Sequence, residues 1–296
     1  MLRATSAPQQ QASRRYHYRL WALGFMGIAH GLFVFTGDIL LLYAILGAFL
    51  WRRRNAPVAQ LVASAKRWFV FAIPTMLVMT LLIQTVSNDL PDEFWDDRLG
   101  GTYMQVLSYR WENWFYTFLT ALIFQGPLVF VAFLIGLVAA KTNFFENNSL
   151  GLVLLRRWLP YLALTALPIN LLYGLHTSGL WVPNPALQVA IGTATAIGAP
   201  ALSALYLYGV VLLVQRFALP EWVYRAGRNT LSCYVLQGVL GGLCFAGYGL
   251  GLFGQLGHAQ ILLASLLIAL SSMLLVSIWA KYLGRGPLEP LLRGIK

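Results

Sequence analysis

Residues 20–51, LWALGFMGIAHGLFVFTGDILLLYAILGAFLW, constrain this chain more than any other stretch: among 32 positions only His30 and Asp38 can carry a charge. A bilayer core of about 30 Å takes roughly 20 apolar residues of helix, so the stretch is too long for one span and short for two. Two short spans joined by a tight turn at Phe35-Thr36-Gly37 fit if their ends sit in the interface. Arg14, Arg15 and Arg19 precede the stretch, and Arg52, Arg53 and Arg54 follow it. A single crossing would put one of these basic clusters outside, against the positive-inside tendency. The stretch therefore reads as a helical hairpin with His30 and Asp38 near its outer end.

Composition extends that reading to the whole chain. With 58% hydrophobic and 10% charged residues and a mean hydropathy of +0.66, 296 residues do not describe an ordinary soluble domain. The net charge of +11 would suit nucleic acid if the basic residues formed one stripe. They fall instead in short clusters at the ends of apolar runs, where cytoplasmic loops carry them, and nucleic-acid binding is not expected. Cys233 and Cys244 lie 11 positions apart in one apolar run, about 16 Å along a continuous helix. A disulfide needs Cα atoms within about 7 Å, so the two do not bridge each other in a monomer. There is no Cys-x-x-Cys and the histidines are scattered, so no metal site is expected.

Taken in order, residues 1–19 form a polar tail with four arginines and no acid, expected to be cytoplasmic. Residues 20–296 read as a single transmembrane helical domain. After the hairpin, residues 68–86 form a span containing Pro74. Residues 87–112 form the longest polar segment, with Asp89, Asp92, Glu93, Asp96, Asp97 and Glu112 against Arg98 and Arg110. That acidic balance places it outside, and residues 103–111 suit a helix lying along the interface. Further spans are expected over 113–140, 158–174, 185–214, 229–247 and 261–280. The sixth is rich in small residues, which let helix backbones approach closely, and is expected inside the bundle. Eight spans with both termini inside leave only Arg98 and Arg110 outside among 21 basic residues. The expected fold class is therefore all-α, a polytopic transmembrane helix bundle in a lipid bilayer.

Polar groups within such runs are expensive, so each has a functional and a structural reading. His30 is either a general base, activating an acceptor hydroxyl or amine, or a neutral core histidine bonded to a carbonyl. Asp38 follows Gly37 and opens a helix, where it serves as an N-cap, as a partner for His30, or as both. Gly227-Arg228-Asn229-Thr230 lies where a loop enters a helix. Arg228 and Asn229 suit an anion there, or mark an inside arginine and a cap. Tyr234 and Gln237 follow on the same helix, and the amides of Gln237 and Gln125 need partners in lipid. Glu289 and Arg293, four apart, suit a surface ion pair.

Several stretches together resemble the YeiB-like family of bacterial polytopic membrane proteins. His30-Gly31 through Gly37-Asp38-Ile39-Leu40 is similar to its "HG…GDIL" hairpin. Gly101-Thr102-Tyr103 with Arg110 resembles its loop pattern, and Leu134-Ile135-Gly136 leading to Asn143-Phe144-Phe145 resembles its next span. Residues 227–237, GRNTLSCYVLQ, are similar to its "GR-x-x-LTNYLLQ" block, with Ser232-Cys233 in place of Thr-Asn. Gly249-Leu250-Gly251-Leu252-Phe253-Gly254 and residues 286–293, GPLEPLLR, look like its closing signature. Family members usually begin with two further spans bearing an Arg-Gly motif, so the chain is expected to be a member without them.

The family is grouped with transmembrane acyltransferases, and the resemblance implies a bacterial inner-membrane protein. It implies transfer of an acyl group from a cytoplasmic donor such as acyl-CoA to an envelope or natural-product acceptor, with no tightly bound cofactor. His30 would be the base, Asp38 its partner and Arg228 a group near the donor. Arg110, Gln125, Asn229, Tyr234 and Gln237 would complete the binding groups. A transporter or lipid-handling protein, and a non-catalytic membrane subunit, remain as alternative readings of the same polar groups. The sequence does not define the oligomeric state.

Overall fold

The computed structural model describes residues 7–89, 97–146 and 149–292. Asp92, Glu93 and Asp96 of the expected outer loop, and Arg293 of the expected ion pair, lie outside these residues. The described residues are helical throughout, without strands. They form α1 (Ala7–Phe33), α2 (Leu40–Arg53), α3 (Val58–Asp89), α4 (Tyr103–Thr120), α5 (Gly126–Lys141), α6 (Leu150–Thr177), α7 (Pro185–Arg216), α8 (Glu221–Arg228), α9 (Thr230–Phe245) and α10 (His258–Leu283). Five helical segments are long and apolar enough to cross a membrane: Val58–Thr85, Tyr103–Lys141, Leu150–Thr177, Pro185–Arg216 and His258–Leu283. Thr230–Phe245 is apolar but shorter. Large side chains such as Leu164, Leu171, Leu262 and Tyr206 stand exposed along these helices, a surface that lipid satisfies and water does not. The protein is a multi-pass membrane protein.

The apolar stretch at residues 20–51 does fold as a hairpin. α1 ends at Phe33 and α2 begins at Leu40, so the break falls around Phe35-Thr36-Gly37. Cross-contacts run in antiparallel order. A Cβ on Gly27 would strike the Leu41 backbone nitrogen, and one on Gly24 would sit 3.6 Å from the Ala44 Cβ. Farther from the bend, Tyr16 donates to the Gly47 carbonyl at 2.9 Å. Glycine at 27 and 47 is what allows the two helices to lie so close. α1 also extends back to Ala7, so much of the polar segment before residue 20 is helical.

The chain divides into two compact units. The first comprises Met1–Ala48, Trp95–Leu119 and Leu219–Lys296. It holds the hairpin, most of α4, and α8 to α10. Here α9 is tied to the C-terminal turn Glu289–Leu292. Ser232 donates through its backbone N–H to Glu289 Oε1 at 2.9 Å and through its hydroxyl to Oε2 at 2.6 Å. Its hydroxyl in turn accepts from the Leu288 N–H at 3.1 Å. Glu289 thus receives one orphan donor of the α9 first turn, the role of an N-terminal carboxylate. Ser232→Ala should lower stability by about 1–3 kcal/mol, read as a lower thermal midpoint in detergent.

The second unit comprises Phe49–Phe94 and Thr120–Ala218. Its helices close-pack through small residues of α7. A Cβ on Gly192 would lie 2.5 Å from a Thr80 methyl, and one on Gly198 2.5 Å from Ile169. The Thr80 and Thr193 hydroxyls meet at 3.1 Å, a bond between helices of the kind lipid favours. Only this face of α7 is covered, while Ile197, Tyr206 and Val210 are exposed. The expectation that α7 sits inside the bundle holds for its small-residue face, where Gly192, Ala196, Gly198 and Ala201 are buried, and not for the exposed one. The expected interfacial helix at 103–111 is likewise not separate. α4 runs through a π-helical turn, Ala121–Gln125, into α5, and the helical run Tyr103–Lys141 is unbroken.

Candidate functional site

The first unit gathers its buried polar residues around the hairpin bend. His30 sits one turn before the end of α1 and Asp38 just before α2, each 4% exposed. His30 Nδ1 is 2.9 Å from Asp38 Oδ1. With the carboxylate ionised and the imidazole neutral, Nδ1 carries the hydrogen and Nε2 presents its lone pair. Asp38 Oδ2 accepts from the backbone N–H groups of Leu40 at 2.8 Å and Leu41 at 3.3 Å. Both expected roles of Asp38 hold at once: one oxygen caps α2 and the other orients the imidazole.

Tyr234 of α9 closes the arrangement. Its hydroxyl donates to Asp38 Oδ1 at 3.3 Å and accepts from the Ile39 N–H at 3.3 Å, and its ring stands 5.2 Å from the imidazole. One turn on, Gly238 faces the other side of His30, where a Cβ would come within 2.5 Å of Nε2. Nε2 itself is buried without a hydrogen-bond partner. A buried unpaired acceptor is unfavourable unless something fills its need. His30 also lines a cavity of about 640 Å³, together with Arg110, Tyr234 and Gln237 among mainly apolar side chains.

Gly238→Ala should therefore disable the site without unfolding the protein. The added methyl can be accommodated only by turning a ring that Asp38 holds, and a displacement of this kind costs roughly a hundredfold in rate. An unchanged thermal midpoint with lost activity is the expected pair of measurements.

A second cavity, about 1770 Å³, lies at the arginine-bearing ends of α1, α8 and α10. Arg14, Arg15, Arg19, Arg225, Arg228, Lys281 and Arg285 line it, against Glu221 and Glu289. Arg228 is thus placed among cations, as an anion site would have it. Asn229 lines the same cavity, but its amide does not cap α9. It donates to the Arg225 carbonyl at 2.7 Å and accepts from the Gly286 N–H at 2.8 Å, which ties the C-terminal turn to α8. The expected cap is corrected accordingly. Glu289 is engaged by Ser232, four residues short of its expected partner. Gln125 belongs to the other unit, in the π-helical turn, where it is exposed. It lines neither of these cavities.

The sequence brought His30 and Asp38 together but missed Gly238 and the Ser232–Glu289 link. Gly238 was detectable in principle, since it follows Tyr234 by four positions and so shares its helix face. Among the described residues no group of three or more metal-ligating acidic, histidine or cysteine side chains occurs.

The family described as "Protein of unknown function (DUF418)" matches residues 139–295, the stretch that carries α6 to α10 with Tyr234 and Gly238. Two bacterial proteins are similar along nearly the whole chain. "Uncharacterized protein YxaH" of Bacillus subtilis (strain 168) is 26% identical over 94% of this chain and 70% of its own length. "Uncharacterized protein YeiB" of Escherichia coli (strain K12) is 26% identical over 93% of this chain and 74% of its own. No solved structure matches the chain.

Proposed function

The chain belongs to the DUF418 family, the YeiB-like membrane proteins, and on that footing we propose that it transfers an acyl group from a cytoplasmic acyl-CoA-type donor to an envelope or natural-product acceptor. The observation that carries this reading is the buried His30–Asp38 pair, with Nε2 unpartnered and His30 lining a cavity. An Nδ1–H fixed by a carboxylate and an unpartnered Nε2 are what a general base requires. In the step envisaged, the acceptor hydroxyl or amine gives its proton to Nε2 as its oxygen or nitrogen attacks the thioester carbonyl. The tetrahedral intermediate collapses with cleavage of the carbon–sulfur bond, and the proton passes from Nε2 to the departing thiolate. Asp38 stabilises the transient imidazolium, and Tyr234 holds Asp38 in place.

The basic cavity supports the donor half of the reading. Its seven cationic side chains suit the phosphates of a CoA-type molecule. Arg19 and His30 are 11 residues apart on α1, about 16 Å along the helix, a separation a long flexible arm between phosphates and thioester bridges. In this reading the protein sits in the bacterial inner membrane with the basic cavity toward the cytoplasm.

The test is purified protein incubated with isotopically labelled acyl-CoA and envelope lipids, followed by mass spectrometry. Labelled acyl product from the wild type, absent with His30→Ala, is the expected result. Transfer undiminished in His30→Ala would reject the assignment. A lipid-handling or transport protein would instead move lipid across vesicles with no change in mass.

A further inference from the structure

Arg110 brings a charge into the first unit that its surroundings do not neutralise. The side chain is 6% exposed. Nη1 donates to the Phe33 carbonyl at 2.8 Å, and Nη2 reaches the Tyr248 hydroxyl at 3.5 Å. Both acceptors are formally neutral, and no ion pair to Arg110 occurs among the described residues. The Phe33 carbonyl ends α1, where the helix dipole supplies about half a negative charge, and it is shared with the Tyr103 hydroxyl at 3.0 Å. Asp38 is the one buried carboxylate among the described residues, and its oxygens are committed to His30, Tyr234 and the first turn of α2. A guanidinium held in apolar surroundings calls for a full counter-charge.

The same guanidinium lines the cavity beside His30, whose other walls include Val34, Val106, Phe245 and Phe253. The segment carrying Tyr248 is tied down beside Leu99, since the Gly247 N–H donates to the Leu99 carbonyl at 3.1 Å and a Cβ on Gly247 would collide with the Gly100 carbonyl. One buried guanidinium in a mainly apolar chamber selects a ligand of matching build.

We infer that this cavity binds an amphiphile through an oxyanion headgroup, a phosphate or a carboxylate seated on Arg110, with its apolar body along Val34, Val106, Phe245 and Phe253. Arg110 supplies a planar fork for two headgroup oxygens. Identifying the amphiphile as the acyl acceptor rests on the acyl-transfer reading; its binding does not.

Calorimetry in a neutral maltoside detergent separates the two. Dodecyl phosphate, dodecanoate, dodecanol and inorganic phosphate are the probes. Wild type and His30→Gln should both bind the anionic amphiphiles, and bind dodecanol and inorganic phosphate far more weakly. Dodecyl phosphate and dodecanoate, compared with each other, show which headgroup the site prefers. Arg110→Gln should weaken anionic amphiphile binding by roughly ten- to a hundredfold, the worth of a charge-assisted bond. Arg110→Lys should still prefer the anions to dodecanol, with reduced affinity. An Arg228→Gln/Arg285→Gln variant of the basic cavity should keep the preference for the anionic amphiphiles over dodecanol. Equal wild-type affinity for dodecanol, unchanged affinity in Arg110→Gln, or loss of binding only in the basic-cavity variant would each overturn the inference. Amphiphile binding without any acyl transfer would leave it standing and remove the acyl-transfer reading instead.

Discussion

His30→Gln is expected to lower the rate of acyl transfer by roughly 10²- to 10⁴-fold, the range over which a positioned general base contributes. Glutamine keeps a hydrogen-bonding group of similar reach toward Asp38, so the hairpin should persist while the base is lost. The comparison that isolates this effect is Asp38→Asn. An asparagine oxygen still caps α2, but the other half of the amide no longer offers His30 a negative acceptor. Its activity should fall as well, with a smaller change in thermal midpoint than removal of the cap would bring. Initial rates together with midpoints for both variants check the prediction. A His30→Gln variant as fast as the wild type would mean the imidazole is only a structural bridge.

Gly27→Ala is expected to be the most damaging single methyl in the contact between α1 and α2. Its Cβ would strike the Leu41 backbone nitrogen and stand 2.9 Å from Asp38 Oδ2 and 3.0 Å from the Leu40 carbonyl carbon. Two of those atoms are main chain in the first turn of α2, so no side-chain rotation relieves the contact. The helices must separate, at a cost of about 3 kcal/mol or more. Gly24→Ala supplies the control, since its methyl would meet only the Ala44 and Leu41 side chains at 3.6 and 3.7 Å. Unfolding of both variants in detergent should show a large drop for residue 27 and little for residue 24. Activity should follow, because Asp38 moves with α2.

How much was legible follows from what kind of contact each feature is. The hairpin was readable because it rests on length and charge: too many apolar residues for one crossing, with arginines at both ends. The His30–Asp38 pair was readable because the bend brings together residues only eight positions apart. Tyr234 and Gly238 are nearly 200 positions from their partners, and nothing local records such a pairing. Apolar helices in lipid also lack the polar–apolar alternation that would tell one face from another. That is why α7 was expected inside the bundle with no face assigned to lipid, and why Gln125 was grouped with a site it does not line. The break assumed between an interfacial helix and a span at 111–113 had the same origin. Polarity marked a change of surroundings there, and the backbone continued through it.

Asp38 divides its two oxygens between the start of one helix and the ring carried by another. The imidazole can have no fixed aim until the second helix has begun to wind, whereas the cap on that helix does not wait for the ring. Alignment of His30 therefore follows assembly of the hairpin, and a half-inserted chain carries an unaligned imidazole.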